Sequence, residues 1–156
     1  MPLTFRLTVT DGQLSSEPSE VVVTVNNGPP LCEQAQAVQS QLWPPDHKMV
    51  PIQIVGVTDP EDSTAAITAT SVTQDEPVNG LDDGDTAPDA VITADNVLLR
   101  AERGGQLNGR VYQIHFGADD GQGGTCTGTV GVWVPKSKKA GESMLDDGQL
   151  YDSSQP

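Results

Sequence analysis

Apolar and polar side chains alternate along much of this chain, and at two places they do so in the same frame. Leu3, Phe5, Leu7 and Val9 repeat the spacing of Tyr112, Ile114, Phe116 and Ala118. A period of two places every second side chain on one face of a strand, which excludes a helix for both segments. Each run breaks at Asp-Gly-Gln (residues 11–13 and 120–122) and passes into a second alternating stretch, Val21–Val25 or Thr127–Val134. One strand-turn-strand unit is therefore written twice. The second copy ends about a hundred residues of β-rich sequence, the length of a complete β-sandwich. The first copy stands without the strands that would complete it. Residues 1–26 read as the terminal hairpin of one module, 27–31 as a linker and 32–135 as a whole module, in the manner of a tandem array.

Helical periodicity is nearly absent elsewhere. β-type runs are expected at Met49–Val57, Ala65–Thr73, Ala90–Thr93, Val97–Ala101, Gly109–Ala118 and Thr125–Val134, divided by Gly, Pro, Asp and Asn clusters. With a first strand inside Leu31–Val38 they number about seven, the count of an immunoglobulin-like sandwich. The fold class is all-β. After Pro135 the pattern stops, and residues 136–156 read as a disordered acidic tail.

Two cysteines are present. An even count in a Thr-, Gly- and Asp-rich β-sequence suits an exported protein with one disulfide. Cys32 opens the first expected strand and Cys126 the last. If those strands run parallel, both starts lie at one end and a bridge is geometrically reasonable. It would close a loop of roughly 95 residues, worth up to about 4–5 kcal/mol in the chain-entropy estimate. Aromatic residues make up only 4% of the chain, so such a staple supports a thin core.

"FRLTVTDG…VVVTVNN" resembles the last two strands of PKD-like or cadherin-like repeats of bacterial surface proteins. The module from Pro30 to Pro135 is similar to Ig-like domains of secreted bacterial proteins. The stretches that carry this resemblance are Leu42–Ile52 (LWPPDHKMVPI), Thr58–Asp62 (TDPED), Ser71–Gly80 (SVTQDEPVNG), Leu99–Arg103 (LRAER) and Asn108–Tyr112 (NGRVY). The usual WPPxHK-type motif has Asn where this chain has Asp46. The resemblance implies a fold and an extracellular setting; no catalytic activity comes with it.

Charge narrows the partners. Twenty-two acidic against eight basic side chains give a net charge of −14, which is unsuited to nucleic acid or anionic membrane. No apolar run is long enough to span a bilayer. Between Lys48 and Arg100 there is no basic side chain, while carboxylates crowd the expected loops. Asp59, Glu61, Asp62, Asp82, Asp83 and Asp85, with Asp119 and Asp120 from the last turn, are candidate Ca²⁺ ligands, because that ion accepts six to eight oxygens in irregular geometry. No EF-hand pattern is present. The competing reading is that these acids cap turns, where Asp bonds its own backbone.

Trp43, Asp46 and His47 form the remaining concentration of unusual residues. Trp43 is either a stacking platform for a sugar or partner, or a plug at the sandwich end with His47 holding a loop carbonyl. The expected function is a non-catalytic structural or adhesion module of a secreted or cell-surface protein, assembling with other modules or neighbouring copies by strand pairing. The alternative is a carbohydrate-binding accessory module, which would need Trp43 and Tyr112 exposed on one face. There is no nucleophile-elbow or zinc-protease motif.

Overall fold

The computed structural model describes residues 2–61, 64–80, 82–94, 96–139 and 143–155. Among them there is no helix. The strands are β1 (Pro2–Leu7), β2 (Ser19–Thr24), β3 (Gln36–Ala37), β4 (Met49–Ile52), β5 (Ile54–Val55), β6 (Ala66–Gln74), β7 (Ala90–Ile92), β8 (Val97–Arg100), β9 (Gly109–Asp119), β10 (Thr125–Pro135) and β11 (Tyr151–Asp152). The protein is all-β, as its alternation requires.

Two antiparallel sheets share a core: β10-β9-β6-β11 and β4-β8-β7. The first contributes Val72, Tyr112, Ile114, Phe116, Val130, Val132 and Val134; the second contributes Ile52, Ala90, Val97 and Leu99. These inward positions fall at every second residue, so the period read from the sequence is the period that packs. Leu42, fully buried, fills the same core from the segment before β4. Gly128 allows the close approach: a Cβ there would lie 2.6 Å from the Phe116 ring.

The expected run Met49–Val57 divides at Gln53. β4 pairs with β8, whereas β5 pairs with β3. A little further on, Gln41 bridges Trp133 of β10 in parallel. Leu42 N donates to Trp133 O at 2.8 Å, and Trp133 N donates to Ser40 O at 2.9 Å. β3 and β5 form a small sheet of their own, and the segment after β3 joins the larger sheet at Gln41. Cys32 and Cys126 are joined in a disulfide with Cα atoms 6.0 Å apart.

The tail departs from expectation. β11 extends the larger sheet by pairing with the end of β6, Tyr151 opposite Gln74 and Asp152 opposite Thr73. Ser153 is buried; its carbonyl accepts from Asp89 N and Ala90 N, and its N–H donates to Val72 O. An open sheet edge offers unpaired backbone groups to any passing strand. Acidic, Ser/Gln-containing composition predicts poor packing but is silent on this pairing and on the bonds that Asp146, Asp147 and Gln149 make to Gln113, Asn108 and Thr73.

β1 and β2 form a separate two-stranded hairpin with every residue exposed. Its base is tied down where Asn27 Nδ2 donates to Asp120 Oδ2 at 2.7 Å and Gly28 N donates to Glu61 Oε2 at 3.2 Å.

Candidate functional site

The core phase of two strands turns polar at one end of the sandwich. On β9, Arg110 shares the inward face with Tyr112, Ile114 and Phe116; along β6 and beyond, Gln74 and Glu76 follow Val72. Arg110 is completely buried. Desolvating a guanidinium is tolerable only with paired charge and filled donors. Arg110 Nη1 lies 2.6 Å from Asp89 Oδ2, Nε lies 3.3 Å from Glu76 Oε2, and Nη2 lies 3.5 Å from Asp83 Oδ2. Nη2 also donates to Pro77 O at 3.0 Å. Glu102 is a fourth buried carboxylate, with Oε1 at 4.0 Å from Nη1.

Neighbouring groups extend the network. Gln74 Nε2 donates to Asp89 Oδ2 at 2.8 Å and to Glu76 O at 2.9 Å. Gly104 N donates to Glu76 Oε2 at 2.7 Å. Glu102 Oε2 takes His47 Nδ1 at 2.7 Å and the Thr86 hydroxyl. Arg100 binds Pro88 O through Nε and Nη2 and His47 O through Nη1, tying two loops to β8. Tyr112, also fully buried, donates its hydroxyl to Arg100 O at 2.9 Å. Gly84 closes the loop beneath His47: its φ is +104°, and a Cβ would sit 2.6 Å from the imidazole Cε1.

Charge is unevenly balanced here. Burial pushes the Asp89 carboxyl up to about 6, even though Arg110 and Gln74 pull the other way. Burial likewise raises Glu76. Burial opposes the charge on Arg110 as well, but Tyr112, Asp89 and Glu76 outweigh it and raise its pKa. The guanidinium therefore stays charged and acts as the fixed hub. Beside it lies a cavity of about 400 Å³ lined by Glu76, Pro77, Asp83, Leu107 and Arg110 among others.

Four of the five stretches that carry the family resemblance meet at this hub. Gln74–Pro77, Leu99–Arg103 and Asn108–Tyr112 supply its core, and His47 of the Trp-Pro-Pro stretch closes it. Arg110, Glu76, Asp89, Glu102 and Gln74 were missed as site residues by sequence reasoning. The available signal was Arg110 itself, a charged side chain in phase with Tyr112, Ile114 and Phe116.

The eight proposed calcium ligands do not converge. Asp59, Glu61, Asp119 and Asp120 lie at the linker end, whereas Asp82, Asp83 and Asp85 lie beyond the other end of β6; Asp62 is outside the described residues. Ala66 stands opposite Asp119 and Gln74 opposite Tyr112, so the ladder that separates the two groups is roughly 25 Å long. Among the described residues, no group of three His, Cys, Asp or Glu side chains could hold a metal ion. Several of the acids bond their own turns instead. Asp59 Oδ1 accepts from Glu61 N, Asp119 Oδ1 from Gly121 N, Asp120 Oδ1 from Gln122 N, and Asp83 Oδ1 from Asp85 N.

The Trp43 region is also rearranged relative to expectation. His47 does not hold a loop carbonyl with its ring; the ring holds Glu102, while the His47 backbone carbonyl accepts from Arg100. Asp46 pairs with Lys48. Trp43 is half-buried and Tyr112 wholly so, and the pair does not form an exposed aromatic face.

The chain matches no known protein family, and no curated protein or solved structure matches it at a significant level. Among the described residues, no helix is long and apolar enough to cross a membrane.

Proposed function

We propose that the chain is a non-catalytic, immunoglobulin-like structural or adhesion module of a secreted or cell-surface protein, related to PKD-like and cadherin-like repeats. The observation that carries this reading is the divided first strand. Gln36–Ala37 pair with β5 in a small two-stranded sheet, and Gln41 then bridges Trp133 of the larger sheet in parallel. Two antiparallel sheets packed over one core, with the segment before β4 pairing in parallel with the last long strand, support an Ig-like sandwich. The disulfide supports an oxidising setting. The buried Arg110 network supports a structural role, since all three guanidinium nitrogens meet acceptors from the loops it ties together, although Gln74 Oε1, Glu76 Oε1, Asp89 Oδ1 and Glu102 Oε1 are left without a hydrogen-bond partner.

Calcium stiffening belongs to the same reading, and it would have to draw together Asp59, Glu61, Asp119 and Asp120 beside the linker, which form no ready metal-holding group among the described residues. Assembly is with other modules or neighbouring copies through the N-terminal hairpin. The carbohydrate-binding alternative loses its second aromatic platform to the burial of Tyr112. The test combines thermal melting in Ca²⁺ with a glycan array. A melting temperature that rises at millimolar Ca²⁺, with no glycan bound, is the expected result. Saturable glycan binding that Trp43→Ala abolishes would overturn the spacer reading.

A further inference from the structure

The Arg110 hub has a surplus of acceptors. Gln74 Oε1, Glu76 Oε1, Asp89 Oδ1 and Glu102 Oε1 are buried and receive no hydrogen bond. The guanidinium has nothing left to give them, because its N–H groups already reach Glu76, Asp89, the Tyr112 hydroxyl, Pro77 O and Asp83. The Gly104 amide serves Glu76 Oε2, and the Gly80 amide serves Asp83 Oδ2. A buried acceptor without a donor is unfavourable, and a charged one more so. Whatever relieves the hub must bring donors and positive charge.

One of the four acceptors belongs to a residue beside open space. Glu76 lines the cavity of about 400 Å³ next to Arg110, a size within the ~300–1,000 Å³ of small-ligand sites. Its side chain is 4% exposed, and only its Oε2 is engaged, by Gly104 N at 2.7 Å and Arg110 Nε at 3.3 Å. Asp82 and Asp83 line the same cavity, so three carboxylates stand against one guanidinium. Pro77 and Leu107 give it apolar walls, and Leu107, 45% exposed, marks the way in from solvent.

Three kinds of occupant fit this arrangement poorly. An anion would meet three like charges and a guanidinium whose donors are taken. A divalent cation needs several oxygens at once, and among the described residues no three acids can hold a metal ion. A second guanidinium presents a rigid fork that asks for two acceptors side by side, whereas Glu76 has one open oxygen. An ammonium on an unbranched stem meets each requirement. It is a point charge with three donors and no acceptor, and its methylenes can lie along apolar side chains.

We propose that this cavity binds a primary alkylammonium group, with Glu76 Oε1 as its acceptor and with Pro77 and Leu107 flanking the stem. Asp82 and Asp83 add attraction from the rim. The lysine side chain of a partner protein and a free alkylamine share that chemistry. The spacer reading does not depend on this cavity and survives its failure.

Amide chemical shifts of the intact protein, recorded at pH 7.5 and fixed ionic strength, test the site with n-butylammonium, Nα-acetyl-lysine methylamide and n-butanol. n-Butylammonium is expected to shift Gly104 and Leu107 saturably at millimolar concentration. n-Butanol, alike in shape but neutral, is expected to leave them in place. Glu76→Gln keeps an oxygen for Gly104 and Arg110 but exchanges the open acceptor for an amide donor, which should weaken binding about tenfold. Leu107→Ser, at an exposed position, removes a wall of the stem and should weaken binding with the melting temperature unchanged. Saturable shifts from the lysine derivative as well assign the cavity to a partner's lysine; shifts from n-butylammonium alone assign it to a free amine. Unsaturable shifts spread over the acidic surface, an equal response to n-butanol, or binding undiminished in both variants would overturn the proposal.

Discussion

Arg110 and Asp89 face each other at 2.6 Å with no solvent exposure on either side chain. One guanidinium there offsets three carboxylates, Glu76, Asp83 and Asp89, from the connection between β6 and β7, at one end of the core.

Removing that hub is therefore costlier than removing a surface cation. Arg110→Met is expected to destabilise the sandwich by about 3–5 kcal/mol, the range for stranding buried charge, measured by urea denaturation at pH 7.5. The loss should shrink at pH 5, where the stranded acids take up protons. Equal losses at both pH values would mean that packing, and not charge, is what Arg110 supplies.

Stability should also rise as the solution is made mildly acidic. Asp89 has its folded pKa raised to about 6 by burial, against an ordinary value of 3.8. Between those values the folded chain holds a proton that the unfolded chain has released, so stability falls as pH increases through this window. A shift of this size corresponds to about 2–3 kcal/mol. Burial raises Glu76 and Asp75 in the same direction. Below about pH 4 the trend reverses, because Asp46 is held below its usual range by Lys48 and Asp120 by Asn27. Melting temperatures recorded from pH 3 to 8 should peak between pH 4 and 6. Asp89→Asn should flatten the limb above the peak; an unaltered limb would remove Asp89 as its cause.

Reducing Cys32–Cys126 should lower the unfolding free energy by about 2–4 kcal/mol, the usual worth of closing a long loop. Paired denaturation curves for the native protein and for Cys32→Ser/Cys126→Ser measure it. A double variant as stable as the native protein would show that the core needs no staple.

The strands were legible because alternation is a backbone property that side chains report directly: Tyr112, Ile114 and Phe116 announce both a strand and its inner face. The disulfide was legible from where its cysteines fall relative to the first and last strands. The polar hub was not, because Glu76, Asp83 and Asp89 fall in an irregular connection between β6 and β7 and Glu102 in a loop after β8, and only the fold turns them onto Arg110 of β9. Read locally, those acids look like turn residues, and for Asp119 that local reading describes its hydrogen bond, whereas Asp120 adds one from Asn27 of the linker. β11 was invisible for a related reason. Its backbone pairs with an edge that exists only once β6 has folded, and the side chains leading into it, Asp146, Asp147 and Gln149, find partners on β6, β9 and the loop before β9 that only the fold brings near.

The bridge between Cys32 and Cys126 also determines how the protein carries tension. A pull applied at the linker and at the end of β10 passes through the sulfur–sulfur bond and then along residues 127–135. The 94-residue span between the cysteines is bypassed. While the bond is intact, unfolding under load can release only the short stretches outside that loop. After reduction the same pull should pay out roughly 300 Å more chain, a step that a force–extension trace would record directly. In an array of such units the oxidation state of one residue pair would set whether each link stretches or holds.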